Sequence, residues 1–195
     1  MASGDRLAWV FFSVAAVGLL MGDSVRTNSG AAPEDVCIVA PPTPYNPASG
    51  VALHAPRVVP TDARCPVCGM YPARAKGWAA QVVFDNGDTQ FFDSPLSLYQ
   101  YLQDVGRFTP GRGAQDITAS YVTAVDADTW IAAGAASYVY GSSALGPMRS
   151  GNLPAFSQRQ AAQQFASTRG GVVVSAENIT PELLQNLSTT PRHRH

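Results

Sequence analysis

Two apolar runs flank Asn86-Gly87 in AAQVVFDNGDTQFFD (79–93). That dipeptide between apolar stretches predicts a β-hairpin, because a tight reversal needs residues that tolerate positive φ. Asp93 or Ser94 then caps a helix whose first position is Pro95, where a missing N–H costs nothing. Leu96, Tyr99, Leu102 and Val105 recur at threes and give that helix one apolar stripe, with Gly106 expected to stop it. ITASYVTAVD (117–126) follows as a strand. A second round resembles the first. ASYVYGS (136–142) reads as a strand, and GNLPAF (151–156) leads into a helix beginning at Ser157. Ala161, Ala162 and Phe165 form that helix's face, Gly170-Gly171 ends it, and GVVVSA (171–176) returns as a strand. Thr180 caps a last short helix with Pro181 at its first position. The pattern of strand, strand, helix, strand thus runs twice. It predicts an α+β domain over 61–187 with two small related halves, about 61–126 and 127–187, followed by a flexible tail over 188–195. The order in which the strands pair is not written in the pattern.

Ahead of this domain, LAWVFFSVAAVGLLM (7–21) runs fifteen residues without a charge. A spanning helix needs about 20 residues, so the stretch fits the apolar region of a secretory signal. Arg6 and the amino terminus supply positive charge, Asp5 weakens it, and NSGAA (28–32) offers small residues for cleavage. Residues 1–31 are expected to be a signal peptide or, if uncleaved, an N-terminal anchor and possible membrane tether, with the folded part outside the cytoplasm. Lipid attachment needs a cysteine directly after the apolar run. Cys37 stands sixteen residues past Met21 and is rejected for that role. Seven of the fifteen prolines fall between residues 31 and 60, so 32–60 reads as an extended, proline-rich tether.

Composition narrows the function. A net charge of −1 with no basic run leaves no cationic footprint for phosphates and argues against a nucleic-acid partner. No histidine occurs between residues 61 and 192. A serine or cysteine nucleophile usually borrows histidine as its base, and hydrolytic zinc sites use it as a ligand, so both classes are disfavoured. Asp93 and Asp126 stand at strand ends, where carboxylates are commonly solvated or capping groups. Trp78 and Trp130 read as packing residues, and His193 and His195 as part of the terminal tail.

The sulfur atoms are distributed less blandly. Met1 and Met21 belong to the leader and Cys37 to the tether, which leaves Cys65, Cys68, Met70 and Met148 in the domain. These four fall into two glycine-flanked motifs, CPVCGM and SALGPMRSG. Methionine used as packing filler belongs on helix or strand faces, whereas these segments are turn-like. A closed zinc site wants four ligands, usually from two paired motifs. A redox pair is activated at a helix N-terminus, but this one runs into Tyr71-Pro72 and then a strand. A Cys65–Cys68 disulfide suits an oxidising compartment yet leaves the methionines unexplained. Thiolate and thioether together are soft donors suited to Cu(I). The C-x-x-C spacing serves all these uses, and chemistry alone leaves the choice open.

CPVCGM, FFDSPLSLYQYL, WIAAGAASYVYGSSALGPM and LPAFSQRQAAQQFASTRGG together resemble the NosL family, accessory proteins of nitrous oxide reductase maturation, over about residues 62–180. The resemblance implies an extracytoplasmic Cu(I)-binding chaperone with no catalysis. Such a protein hands copper to apo nitrous oxide reductase and works beside a dedicated membrane copper-maturation transporter. It also implies a fold of two small related α+β halves. The family's metal-binding cysteine and methionine correspond to Cys68 and Met70, and the methionine of its second-half motif to Met148. Cys65 is an extra thiol absent from some relatives, either a further ligand or a partner that oxidises with Cys68 and switches the site off. Many relatives carry a lipoprotein cysteine after the leader, and this chain does not. Two other readings stand beside copper transfer: a thiol-disulfide oxidoreductase using Cys65 and Cys68, and a structural extracytoplasmic domain.

Overall fold

The structure, a computed structural model, describes residues 40–149 and 151–189. The expected leader, Cys37, His193 and His195 lie outside the described residues. The first round begins with the hairpin of β1 (Ala80–Phe84) and β2 (Thr89–Phe92), paired antiparallel from Ala80↔Phe92 to Val83↔Thr89. Its loop has three residues: Gly87 N–H donates to Phe84 O at 2.9 Å, and Phe84 N–H donates to Asp88 O at 2.9 Å. Gly87 takes φ 84°, the left-handed position such a loop requires. Helix α1 (Pro95–Gln103) follows, and Ser94, not Asp93, is its cap, accepting from Ser97 N–H. Gly106 does not end it. Asp104 closes α1 through its backbone, and its carboxylate accepts from Arg107 N–H at 3.2 Å. That cap starts a short helix α2 (Val105–Phe108) with Gly106 inside it, because a side-chain cap at position 104 outweighs the weak helix propensity of one glycine.

Strand β3 (Ile117–Ala124) pairs antiparallel with β1. It then doubles back into β4 (Thr129–Ala132), a strand absent from the sequence-based expectation, through a turn in which Asp128 has φ 51°. The second round supplies β5 (Ser137–Tyr140), the two-residue β6 (Ala155–Phe156) and β7 (Val172–Ser175). All seven strands form one sheet of order β2-β1-β3-β6-β5-β7, with β4 paired to β3. In each round the first strand is central and antiparallel to its neighbours, which is compatible with two related halves. The rounds meet where β3 and β6 run parallel at Ala124↔Ala155.

Helix α3 (Arg159–Arg169) starts two residues after the expected Ser157, because the cap comes from elsewhere. Asp126, just beyond β3, accepts from Ser157 N–H at 2.9 Å, Ser157 Oγ–H at 2.8 Å and Gln158 N–H at 3.3 Å. Burial alone would raise its pKa, but these hydrogen bonds hold it below the ordinary value. Ala162 and Phe165 of α3 pack on Val139 and Phe156, as the periodicity predicts. Helix α4 (Pro181–Thr189), with Thr180 Oγ1 accepting from Leu183 N–H, buries Leu184 and Leu187. Among the described residues no helix is long and apolar enough to cross a membrane.

Strand alternation sends β1 and β2 residues to two covered faces. Ala80, Val82, Phe84 and Phe92 join Leu98, Tyr101, Leu184 and Leu187 in the main core. The other face carries Ala79, Gln81 and Phe91, and the proline-rich segment lies across it. Between residues 40 and 60 that segment contains a short 3-10 turn at Pro47–Ser49 and, rather than running free, is fastened to the sheet as a strap. Thr43 bridges Thr89 through two hydrogen bonds of 2.8 and 2.9 Å. Arg57 N–H donates to Gln81 Oε1 at 2.9 Å, and Gln81 Nε2–H donates back to Arg57 O at 3.0 Å. Tyr121 OH donates to His54 O at 2.9 Å. Val59 packs on Ala79 and Phe91, joined by Trp130 in the packing role expected of it. A buried glutamine such as Gln81 needs partners for both ends of its amide, and the strap's backbone supplies them.

Candidate metal centre

The CPVCGM segment folds as one closed turn. Gly69 N–H donates to Cys65 O at 2.8 Å, and Cys65 N–H donates to Met70 O at 2.9 Å. Gly69 has φ 73°, a conformation glycine adopts freely. Cys65 is fully buried in the main core, and Cys68 is half-buried and packed against the same cluster. Both cysteines are free thiols. A stretch of 3-10 turn from Pro72 to Trp78 then leads into β1, so no α-helix begins at the thiols.

The fold adds a donor that the sequence reading had placed among solvated or capping carboxylates. It is neither, because Ser94 takes the cap and position 93 is enclosed. Asp93 emerges from β2 immediately before the Ser94 cap, and it is fully buried. One of its carboxylate oxygens and the sulfurs of Cys65 and Cys68 all lie within 4.8 Å of one another. Its Oδ1 accepts a long hydrogen bond of 3.5 Å from Ser94 Oγ–H, and its Oδ2 has no hydrogen-bond partner. The signal was present in the sequence as an acid directly after the buried pair Phe91-Phe92. It was obscured because an acid beside Ser-Pro also suits a helix cap.

The Cys68 thiol is pushed well above its ordinary pKa. The hydrogen bond with Cys65 is the main cause, followed by burial and by the charges of Cys65 and Asp93, with Met70 N–H opposing. A proton on this sulfur is therefore hard to lose to water, while a cation entering among the donors can replace it. Two sulfurs and one oxygen form a mixed donor set in which Cys68 is the half-exposed member.

The methionines lie farther out. Met70 is on the same turn but 37% exposed. Met148 is 46% exposed, on a turn closed by Arg149 N–H to Gly146 O at 2.8 Å. The fold therefore brings together Cys65, Cys68 and Asp93, keeps Met70 beside them in the chain, and presents the Met148 thioether to solvent. At the edge of the turn, the guanidinium groups of Arg64 and Arg74 lie over the Tyr71 ring, 4.5 and 4.6 Å from its centroid. A cavity of about 220 Å³ near Val59, Lys76 and Trp130 includes none of the sulfur residues in its lining.

Comparison with known proteins agrees with this architecture. A family model described as NosL matches residues 56–184. The fold is similar to the crystal structure of the copper chaperone NosL from Shewanella denitrificans, with a TM-score of 0.56 and 20% sequence identity, over 66% of this chain and 98% of that one. No curated protein matches the chain.

Proposed function

The chain belongs to the NosL family, and from that premise we propose that it is an extracytoplasmic copper chaperone that binds Cu(I) and passes it on without catalysis. The observation that carries the reading is the pair of free thiols on one closed turn, half-open to solvent at Cys68. Soft sulfur donors hold Cu(I) in low coordination and release it by exchange with another sulfur site. Cys68 is the central ligand and Cys65 the second. Met70, on the same turn, and Met148 are thioether donors exposed enough to take part in exchange. The acceptor is apo nitrous oxide reductase, loaded together with a membrane copper-maturation transporter. That assignment follows the family resemblance of the sulfur motifs and the similarity to a protein described as a copper chaperone.

The same two thiols could be read as a redox couple. Reactive dithiols of that kind sit at a helix N-terminus with a lowered thiol pKa. Here no helix starts at the pair, so copper binding is the better reading. The test is an anaerobic Cu(I) titration of the full chain against a competing chromogenic chelator, with wild type beside Cys68→Ser and Met148→Leu. Stoichiometric binding that Cys68→Ser abolishes and Met148→Leu weakens is the expected result. Wild type that fails to compete with the chelator overturns the proposal.

A further inference from the structure

We propose that Asp93 is the third donor of the metal centre, completing with Cys65 and Cys68 a two-sulfur, one-oxygen set inside the fold. This rests on the copper-binding reading above and deepens it. Three observations carry it. The first is place: Asp93 is fully buried, and its carboxylate lies within 4.8 Å of both sulfurs.

The second is an unanswered polar group. Asp93 Oδ2 is buried without a hydrogen-bond partner, and the described ion pairs of Arg112 go to Asp85 and Asp88 instead. Burying a carboxylate away from water is costly unless a cation or several hydrogen bonds offset it. Nearly all buried polar groups in folded proteins have a partner. This one has a single 3.5 Å contact with Ser94. The third is that the local fold gives Asp93 no other work, since the helix-capping oxygen belongs to Ser94. A cation between the two sulfurs would supply the missing partner, and the oxygen would become its ligand.

The arrangement separates the sulfur donors by depth. Cys65 and Asp93 are closed off from solvent, Cys68 is half-open, and Met70 and Met148 are outside. An ion held among Cys65, Cys68 and Asp93 would be enclosed on two sides, with its open side at Cys68.

The experiment uses the full chain as wild type, Asp93→Asn, Asp93→Leu and Cys68→Ser. Cu(I) affinity is measured by chelator competition, X-ray absorption is recorded at the copper edge, and the thermal midpoint is read without metal. Wild type is expected to show one oxygen scatterer beside sulfur, and Asp93→Leu sulfur alone. Both Asp93 variants should bind Cu(I) more weakly by on the order of 10- to 100-fold, the loss typical when a partner of a metal site is removed. Asp93→Leu should also melt higher than wild type without metal, because a buried oxygen without a hydrogen-bond partner has gone. For Asp93→Leu a donor role thus predicts opposite movements of affinity and apo stability, which a merely structural role would not. Sulfur-only coordination in wild type, or unchanged affinity in both Asp93 variants while Cys68→Ser abolishes binding, overturns the Asp93 assignment and leaves the copper reading standing. Wild type that binds no Cu(I) overturns both.

Discussion

Gly69, next to Cys68, holds φ 73° and gives its N–H to Cys65 O. A side chain in that left-handed conformation costs about 1–2 kcal/mol. Gly69→Ala should therefore lower folding stability by about 1 kcal/mol, read as a reduced urea midpoint with an unchanged slope. Because the turn carries both thiols, the same change should weaken Cu(I) binding roughly fivefold in chelator competition. An unaltered midpoint and affinity would mean that the turn does not position the sulfurs. At this scale the cysteines were legible in the sequence, since sulfur is scarce and the domain confines it to two motifs. Asp93 was not. Carboxylates are common along the chain, and only the packing of α1 and the CPVCGM turn around position 93 makes this one a buried neighbour of two thiols.

Helix α3 depends on a residue outside itself. Its N-cap position, Gln158, makes no side-chain capping bond, and the carboxylate of Asp126 takes the N–H groups of Ser157 and Gln158 instead. Asp126→Ala should cost about 1 kcal/mol, the usual worth of a capping oxygen. The folded-state pKa of Asp126 lies below its ordinary value of 3.8. Its contribution is therefore complete above that value and is lost as the pH falls through the lowered one. The gap in urea midpoint between wild type and Asp126→Ala should hold at neutral pH and close in acid, and a gap that persists below the folded pKa would rule out the carboxylate as its source. Elements with strong local signals were readable, notably the Asn86-Gly87 hairpin and the capped α1. Those settled by partners were not. β4 is four residues long and exists through pairing with β3, while the start of α3 is set by Asp126 rather than by its own sequence.

Across the whole molecule, the strap over 40–60 and the metal centre occupy opposite faces of the β1–β2 hairpin, since Val59 packs with Ala79 and Phe91 while Cys65 packs with Val82 and Phe92. A Cβ at Gly87 would stand 2.6 Å from Leu53 Cδ1 and 2.9 Å from Tyr45 Cγ, both in the strap. Gly87→Ala should displace it and destabilise the fold by about 1–3 kcal/mol, with faster limited proteolysis within residues 40–60 and Cu(I) affinity unchanged. Equal loss of copper binding would show that the two faces are coupled. The strap's attachment was hidden from sequence reading because prolines and scattered alanines look the same whether the chain is free or laid along a sheet. What fastens it is the need of Gln81 and the Tyr121 hydroxyl for partners. Those partners lie far along the chain, 24 residues from Arg57 to Gln81 and 67 from His54 to Tyr121. During synthesis, then, the segment made first has nothing to lie on until the hairpin and β3 have been made and paired. Contacts this distant in sequence must overcome the entropy of closing a long loop, so the strap's hydrogen bonds to Gln81 and Tyr121 can form only once the strands that carry those residues exist.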